Sequence, residues 1–480
     1  MFIMTKKRTF RWKSTLAAPA LALLLQTVAP PEASATPHNP NPQTLASRNA
    51  SEPTDILVQL SAVPGLSVTE QVSRIPGTRI FHLRLEQPVD HRDPEGRRFS
   101  QFMTLLHRST TAPMVMITSG YAVVPIVRET PLTGMLQGNQ LYVEHRFFGE
   151  SIPQPATYEH LNIQQAASDI HRVVEALKPV YTGKWVSSAT SKGGMTGVYH
   201  RYFYPDDVVA TLANGAPSNH GPSDERYVHF IDTVGDAACR EQLREIQKAA
   251  LRRREEMLPL MAETAEDWST SFHWLGVDRA FEFGVLEFPF YFWQMLGLPS
   301  CSKLPSPDAP AAELFAFIDS ASAFALSFDD LSIEYYGPYY YQAATQLGAP
   351  LYDESHLQGL LHYPGEDVPS IYSPVPVTQP FEYSIMRKVE NWVRKDAQRM
   401  IFIYGQNDPW SARPFEVRER NDSYRFYVPD GDHTANITQL TEADRQFVLD
   451  RLSTWLGVEP ATAYVVTEPP PSRLFRRAEQ

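Results

Sequence analysis

A chain of 480 residues, 43% of them hydrophobic, can bury one large core and carry an inserted or second domain. Its formal charge of −12, from 55 acidic against 43 basic residues, argues against nucleic acid and anionic membranes, which bind clustered lysine and arginine. Two cysteines, scattered histidines and no HExxH or CxxC offer no metal-ligand spacing.

Lys6, Lys7, Arg8, Arg11 and Lys13 precede the apolar run TLAAPALALLLQTVAP and the small-residue triple Ala33-Ser34-Ala35. That order predicts a secretory signal peptide over residues 1–35, cut near Ala35, and a mature chain that is extracellular or periplasmic. A membrane anchor is the weaker alternative, because the run is short and broken by Pro19 and Gln26. Cleavage removes five basic residues and one acidic, Glu32, so −12 becomes −16. Residues 36–52 and the tail 467–480 are polar and proline-rich, segments with nothing to bury. In an exported chain Cys239 and Cys301 read as one disulfide, with buried free thiols as the alternative.

From Arg79, two alternating runs flank Asp93-Pro94-Glu95-Gly96 and predict a hairpin. MVMITSGY after Pro113 is a buried strand ending in glycine, and residues 141–144 are a second strand. Leu161, Ala167, Ile170, Val174 and Leu177 share one helical face. A strand over 184–188 leads into ATSKGG, a helix follows, and DVVATLANGAP is a further strand. Strands alternating with helices predict a mostly parallel sheet covered on both faces, an α/β fold. The rhythm stops near Ser218: residues 219–384 are helical, aromatic and proline-punctuated, with the run EIQKAALRRREEMLPLMAE reading as helix. It resumes with the helix EYSIMRKVENWVRKDAQ and strands at 400–404 and 424–428. The predicted organisation is an α/β domain in two parts, 53–218 and 385–466, with a helical cap inserted at 219–384.

Three of the predicted strands end in polar residues of one chemical kind. Ser191 follows the ATSKGG strand, Asp408 in GQNDPW follows 400–404, and His433 in PDGDH follows 424–428. In a parallel sheet those ends share an edge, and Ser…Asp…His is the chain order of an α/β-hydrolase triad. Serine is a poor nucleophile until a neutral imidazole takes its proton, and a carboxylate holds that imidazole in the right tautomer. Taken singly, each residue is an ordinary helix cap, turn former or loop. The oxyanion would bind the backbone N–H of Lys192 and, from the Ser119-Gly120-Tyr121 turn, that of Tyr121.

EQPVDH (86–91), VEHRFFGES (143–151), SKGGM (191–195), PYYYQAATQLG (338–348), GQNDPW (405–410) and GDHTANI (431–437) occur together in this order. The set resembles the secreted bacterial tripeptidyl aminopeptidases, serine peptidases distantly similar to lysosomal prolylcarboxypeptidase and dipeptidyl peptidase II. The resemblance runs from about Arg79 to Gly457 and implies an α/β-hydrolase with a helical cap, without a cofactor. It implies Ser191, Asp408 and His433 as the triad, and release of tripeptides from free N-termini, often after proline. Ala189 and Gln346 stand where the wider pattern has glycine and glutamate.

An enzyme that counts from the N-terminus needs an anion at a fixed distance from Ser191, and acids inside apolar runs are the candidates. Glu287 in GVLEFPFYFWQ comes first, then Glu282, Asp224 and Glu225, with ion pairs to cap arginines as the structural alternative. Trp293 and Trp410 are candidate substrate contacts, although Phe290, Phe292, Trp293 and Tyr339–Tyr341 also suit a cap core. Glu144 and Arg146 read as structural. The rival functions are an esterase or lipase, a prolyl peptidase of other chain-length preference, and an inactive binding protein of the same fold.

Overall fold

The computed structural model describes residues 55–462, so the predicted signal peptide, linker and tail lie outside the described residues. The chain starts with α1 (Ile56–Ser61), whose first turn is capped by the Asp55 side chain, and an edge strand, β1 (Leu66–Gln71). β2 (Arg79–Pro88) and β3 (Arg98–His107) form the predicted hairpin, closed by Gly96 N–H on the Asp93 carbonyl at 3.0 Å. An alternating series follows: β4 (Met114–Thr118), α2 (Pro131–Leu136), β5 (Asn139–Val143), α3 (Ile163–Leu177), β6 (Trp185–Thr190), α4 (Ser191–Phe203) and β7 (Ala210–Asn214). Then come α5 (Arg226–Thr233), α6 (Ala237–Arg252), α7 (Arg254–Asp267), α8 (Val277–Met295), α9 (Ala311–Ser322), α10 (Phe324–Ser327) and α11 (Asp330–Gln342). The chain closes with α12 (Tyr383–Lys395), β8 (Met400–Gly405), β9 (Tyr424–Val428) and α13 (Glu442–Leu456).

Among the described residues the nine strands make one sheet, ordered β1-β2-β3-β5-β4-β6-β7-β8-β9. The pairings β1–β2, β2–β3 and β3–β5 are antiparallel, and the other five are parallel. Alternation along β8 explains how both faces are covered. Ile401 and Ile403 pack with Leu132 and Met135 of α2 and Val448 and Leu452 of α13. Met400, Phe402 and Tyr404 pack with residues of α3, α4 and α12. A strand buried on both faces reads as a continuous apolar run, which is why MIFIYG does. This is the α/β-hydrolase architecture, and the carboxyl ends of its parallel strands open on one edge.

The segment between β7 and β8 has a core of its own, built from residues such as Leu243, Met257, Phe281, Phe288, Leu314 and Phe324. A disulfide joins Cys239 of α6 to Cys301 within this segment. One expectation needs correcting: EIQKAALRRREEMLPLMAE is two helices, broken at Arg253. Arg253 leaves helical geometry and turns its guanidinium to the Ala309 carbonyl (2.5 Å) and the Glu256 carboxylate (3.0 Å). Arg254, next along, ion-pairs with Asp278 and Glu282 of α8. No helix among the described residues is long and apolar enough to cross a membrane.

Candidate active site

Ser191 is the hinge between β6 and α4, and its φ of 57° lies in the left-handed region that non-glycine residues rarely occupy. Such strain is characteristic of a serine presented on a sharp strand-to-helix turn. The glycines after it make the turn possible. A Cβ on Gly193 would stand 2.5 Å from the Thr118 carbonyl oxygen, so α4 packs against β4 only without one. The same built Cβ would lie 3.3 Å from that of Ala189, which is why a small residue suffices there. Thr118 Oγ1 donates to the Gly193 carbonyl at 2.9 Å and ties the two elements together.

Asp408 and His433 leave the neighbouring strand ends. His433 Nδ1 and Asp408 Oδ2 are 2.7 Å apart, with the carboxylate fully buried and the imidazole 6% exposed. The other carboxylate oxygen accepts the Trp410 N–H at 3.1 Å, which fixes the rotamer. Gly215, after β7, brings its backbone against both: a Cβ there would sit 3.1 Å from His433 Cε1 and 3.4 Å from Asp408 Oδ2. Nδ1 engaged by a carboxylate puts the basic lone pair on Nε2, the tautomer that accepts a proton from a serine hydroxyl. The cap also touches this group. The Gln294 carbonyl, near the end of α8, accepts the His433 N–H at 3.1 Å, and its Oε1 accepts Trp410 Nε1–H at 3.2 Å.

Lys192 stands in the first turn of α4, where backbone N–H groups have no helical partner and can meet an oxyanion. The expected second donor is corrected. Tyr121 donates its N–H to Ser119 Oγ at 2.9 Å, while Ser119 Oγ donates to the Tyr121 carbonyl at 2.8 Å. The Gly120 carbonyl, on the opposite side of the same peptide, accepts Lys192 Nζ at 2.5 Å. That peptide unit is therefore held at both ends, and Tyr121 contributes its ring to the cavity wall instead. The Lys192 side chain is 2% exposed, and burial pushes its ammonium well below the ordinary range.

Ser191, Tyr121, Trp410 and Glu287 all line one cavity of about 890 Å³ beneath the cap helices. Phe290, Tyr339 and Tyr340 line it too, whereas Phe292 and Trp293 are buried in the cap core. At Glu287 the cavity wall carries a second acid that the sequence reading missed. Burial, and then the Asp367 charge beside it, raise the Glu287 carboxyl well above its usual range. Burial likewise raises Asp367, against hydrogen bonds from the Tyr372 hydroxyl (2.5 Å) and Glu287. Two carboxyls buried beside each other cannot both ionise cheaply, so each holds the other's proton more tightly than an isolated acid would. The hydroxyls of Tyr291 and Tyr352 complete the shell around Glu287.

The other proposed acids are elsewhere. Glu282 pairs with Arg254 and accepts the N–H groups of His362 (2.8 Å) and Tyr363 (2.7 Å), so it ties α8 to the 360–363 segment. Asp224 is consumed by Arg226, Arg413 and the His220 N–H. Glu225 is exposed and lines a different cavity. Trp293 fails as a substrate contact because it fills cap interior against Gly235. Gln346 accepts the Ile163 N–H at 2.9 Å and donates to Glu382 at 2.7 Å, a cap for α3. Glu144 accepts N–H bonds from Val123, Glu150 and Ser151, and Arg146 forks onto Asp169 at 2.6 and 2.7 Å.

A family model described as PS-10 peptidase S37 matches residues 50–475. A prolyl tri/tetrapeptidyl aminopeptidase from Streptomyces mobaraensis is 42% identical over 412 residues, covering 85% of this chain and 86% of that protein. A lysosomal Pro-X carboxypeptidase from Bos taurus is 34% identical over 88 residues, 16% of this chain and 18% of the other. The solved structure of a proline iminopeptidase from Mycobacterium smegmatis aligns at 12% identity with a TM-score of 0.33, over 78% of this chain and 98% of that one.

Proposed function

The chain belongs to the peptidase S37 family of serine peptidases, and from that premise we propose an exported exopeptidase that releases tripeptides from free N-termini, favouring proline at the cleaved position. Export rests on the basic, apolar, Ala-Ser-Ala order of residues 1–35 and agrees with the disulfide, a bond of oxidising compartments. Ser191 Oγ attacks the scissile carbonyl as His433 Nε2 takes its proton, and Asp408 stabilises the imidazolium. The oxyanion forms against the Lys192 N–H. His433 then returns the proton to the leaving amine, and a water activated by the same nitrogen hydrolyses the acyl-enzyme.

One observation carries the exopeptidase reading: the Glu287–Asp367 carboxyl pair lines the cavity that holds Ser191. A pair sharing one proton has the single negative charge that an α-ammonium requires. α8 sets the separation. Gln294 touches His433, and Glu287 lies seven residues earlier on the same helix, about 10 Å at ~1.5 Å per residue. Three extended residues span roughly 10 Å at ~3.4 Å each. The rings of Tyr121, Phe290, Tyr339 and Trp410 supply a flat apolar slot suited to proline.

The test compares Ala-Ala-Pro chromogenic amides with free and acetylated amines. The free amine should be cleaved at least about 30-fold more efficiently, since an unpaired buried charge costs at least that much. The double substitution Glu287→Gln/Asp367→Asn, which removes both acids, should erase most of the preference, while Ser191→Ala should lower kcat about 10⁶-fold on either substrate. Equal cleavage of both substrates by the unmodified enzyme would overturn exopeptidase action in favour of an esterase or endopeptidase.

A further inference from the structure

The main cavity stops at three residues that also line a second one. Tyr352, Asp367 and Val368 border the cavity of about 890 Å³ that contains Ser191. They also border a separate cavity of about 590 Å³. The partition is thus a single layer of side chains. Besides the shared Asp367, the far cavity carries four acids, Glu225, Asp232, Asp353 and Glu354, against one histidine, His229. Asp232 pairs with Arg244, so one of the four is already compensated, while Asp353 meets His356, an imidazole that burial shifts toward its neutral form. Glu354 accepts the Gly365 N–H with both oxygens, at 2.9 and 3.0 Å, and so steadies the segment that bears Asp367 and Val368.

We propose that Tyr352, Asp367 and Val368 form the stop that sets how many residues are released, and that the acidic cavity behind them would receive the N-terminus of a longer substrate. The proposal rests on the reading that Glu287 and Asp367 take the α-ammonium. On that reading a tripeptide ends at the partition. A fourth residue adds about 3.3 Å of extended chain and must push its amine through it. The obstacle is steric. Carboxylates stand on both sides, so an ammonium moved from one cavity to the other stays among anions and does not meet an apolar barrier. Tyr352 is the main bulk: its ring packs edge-on to Phe290 at 5.7 Å, and its hydroxyl bonds Glu287.

The test measures kcat/KM for free-amine Ala-Pro, Ala-Ala-Pro and Ala-Ala-Ala-Pro chromogenic amides. Tyr352→Ala and Val368→Gly should each raise the ratio of four-residue to three-residue release by about 10-fold or more, the scale on which pocket shape discriminates. Tyr352→Phe keeps the ring and should keep the wild-type ratio. Adding Val228→Trp, which fills the second cavity, to Tyr352→Ala should return the ratio toward wild type. Should Tyr352→Ala fail to fold, judged by its thermal melt, Val368→Gly decides. Folded variants with an unchanged ratio and an intact preference for the free amine overturn the stop alone. A wild-type enzyme indifferent to amine blocking overturns the exopeptidase reading with it.

Discussion

Lys192 serves the turn through two different atoms. Its backbone N–H, in the first turn of α4, is the proposed oxyanion donor, and its Nζ grips the Gly120 carbonyl at 2.5 Å. Burying an amine beside the rings of Tyr121 and Phe148, 5.3 and 5.2 Å away, carries a desolvation cost. That cost is tolerable where the bond keeps the 119–121 turn aligned with Ser191. Lys192→Met retains the stem and deletes the donor. The expected result is a kcat about 10²-fold lower, the cost of a roughly 1 Å misplacement, with KM for Ala-Ala-Pro amide nearly unchanged. Steady-state kinetics with active-site titration would check it, and an unaltered kcat would show that the turn holds without Lys192. Ser191, Asp408 and His433, the proposed triad, were legible because each follows a strand whose apolar run announces it. Asp367 was not, since GEDVPS looks like any solvent loop until folding lays it against Glu287. The direction of the Tyr121 N–H was equally hidden, because it depends on a hydroxyl two residues away.

α8 is the element that joins cap chemistry to triad, and it carries an internal proline. Pro289 has no N–H, so the Val285 carbonyl one turn back loses its helical partner. Gln247 of α6 replaces that partner: its side-chain amide donates to Val285 at 2.9 Å and to Leu286 at 3.1 Å. Gln247 is 1% exposed, and its Oε1 meets His356 Nε2 at 2.9 Å, so the amide is held at both of its polar atoms. Gln247→Leu should cost about 1–3 kcal/mol, the penalty for buried carbonyls left unsatisfied, and lower the melting temperature. Because α8 spaces Glu287 from His433, KM for tripeptidyl substrates should rise as well. A variant as stable as the wild type would mean the kinked turn finds other donors. Helix and strand types were readable wherever the period was clear, as in β4 and β8. β1 gave no signal, since an edge strand with one buried residue, Leu66, has almost no alternation to show. The break at Arg253 was invisible because arginine and glutamate favour helix, and tertiary contacts, Arg253 to the Ala309 carbonyl and Arg254 to Asp278, overrode that propensity.

At the scale of the whole molecule, buried titratable groups link stability to pH through two opposing sets. Burial raises the carboxyls of Glu287, Asp367 and Glu144, the last to about 7. The folded chain then binds protons that the unfolded chain releases near pH 4–4.5, so their stabilisation is present below that value and is lost as pH rises through the folded values. Burial lowers the imidazoles of His107, His145, His200 and His356. Those groups act in the other direction, destabilising the fold as pH falls through about 6.5, where the unfolded imidazoles take up protons. A single stability curve mixes both sets, but a difference between two chains separates them. Glu287→Gln cannot ionise and keeps neutral hydrogen bonding toward Asp367, while every histidine is unchanged. The melting temperature of Glu287→Gln should therefore gain steadily on the wild type between pH 5 and pH 8, at constant ionic strength. A gap that stays flat over that range would mean the acid pair does not hold its proton in the folded enzyme.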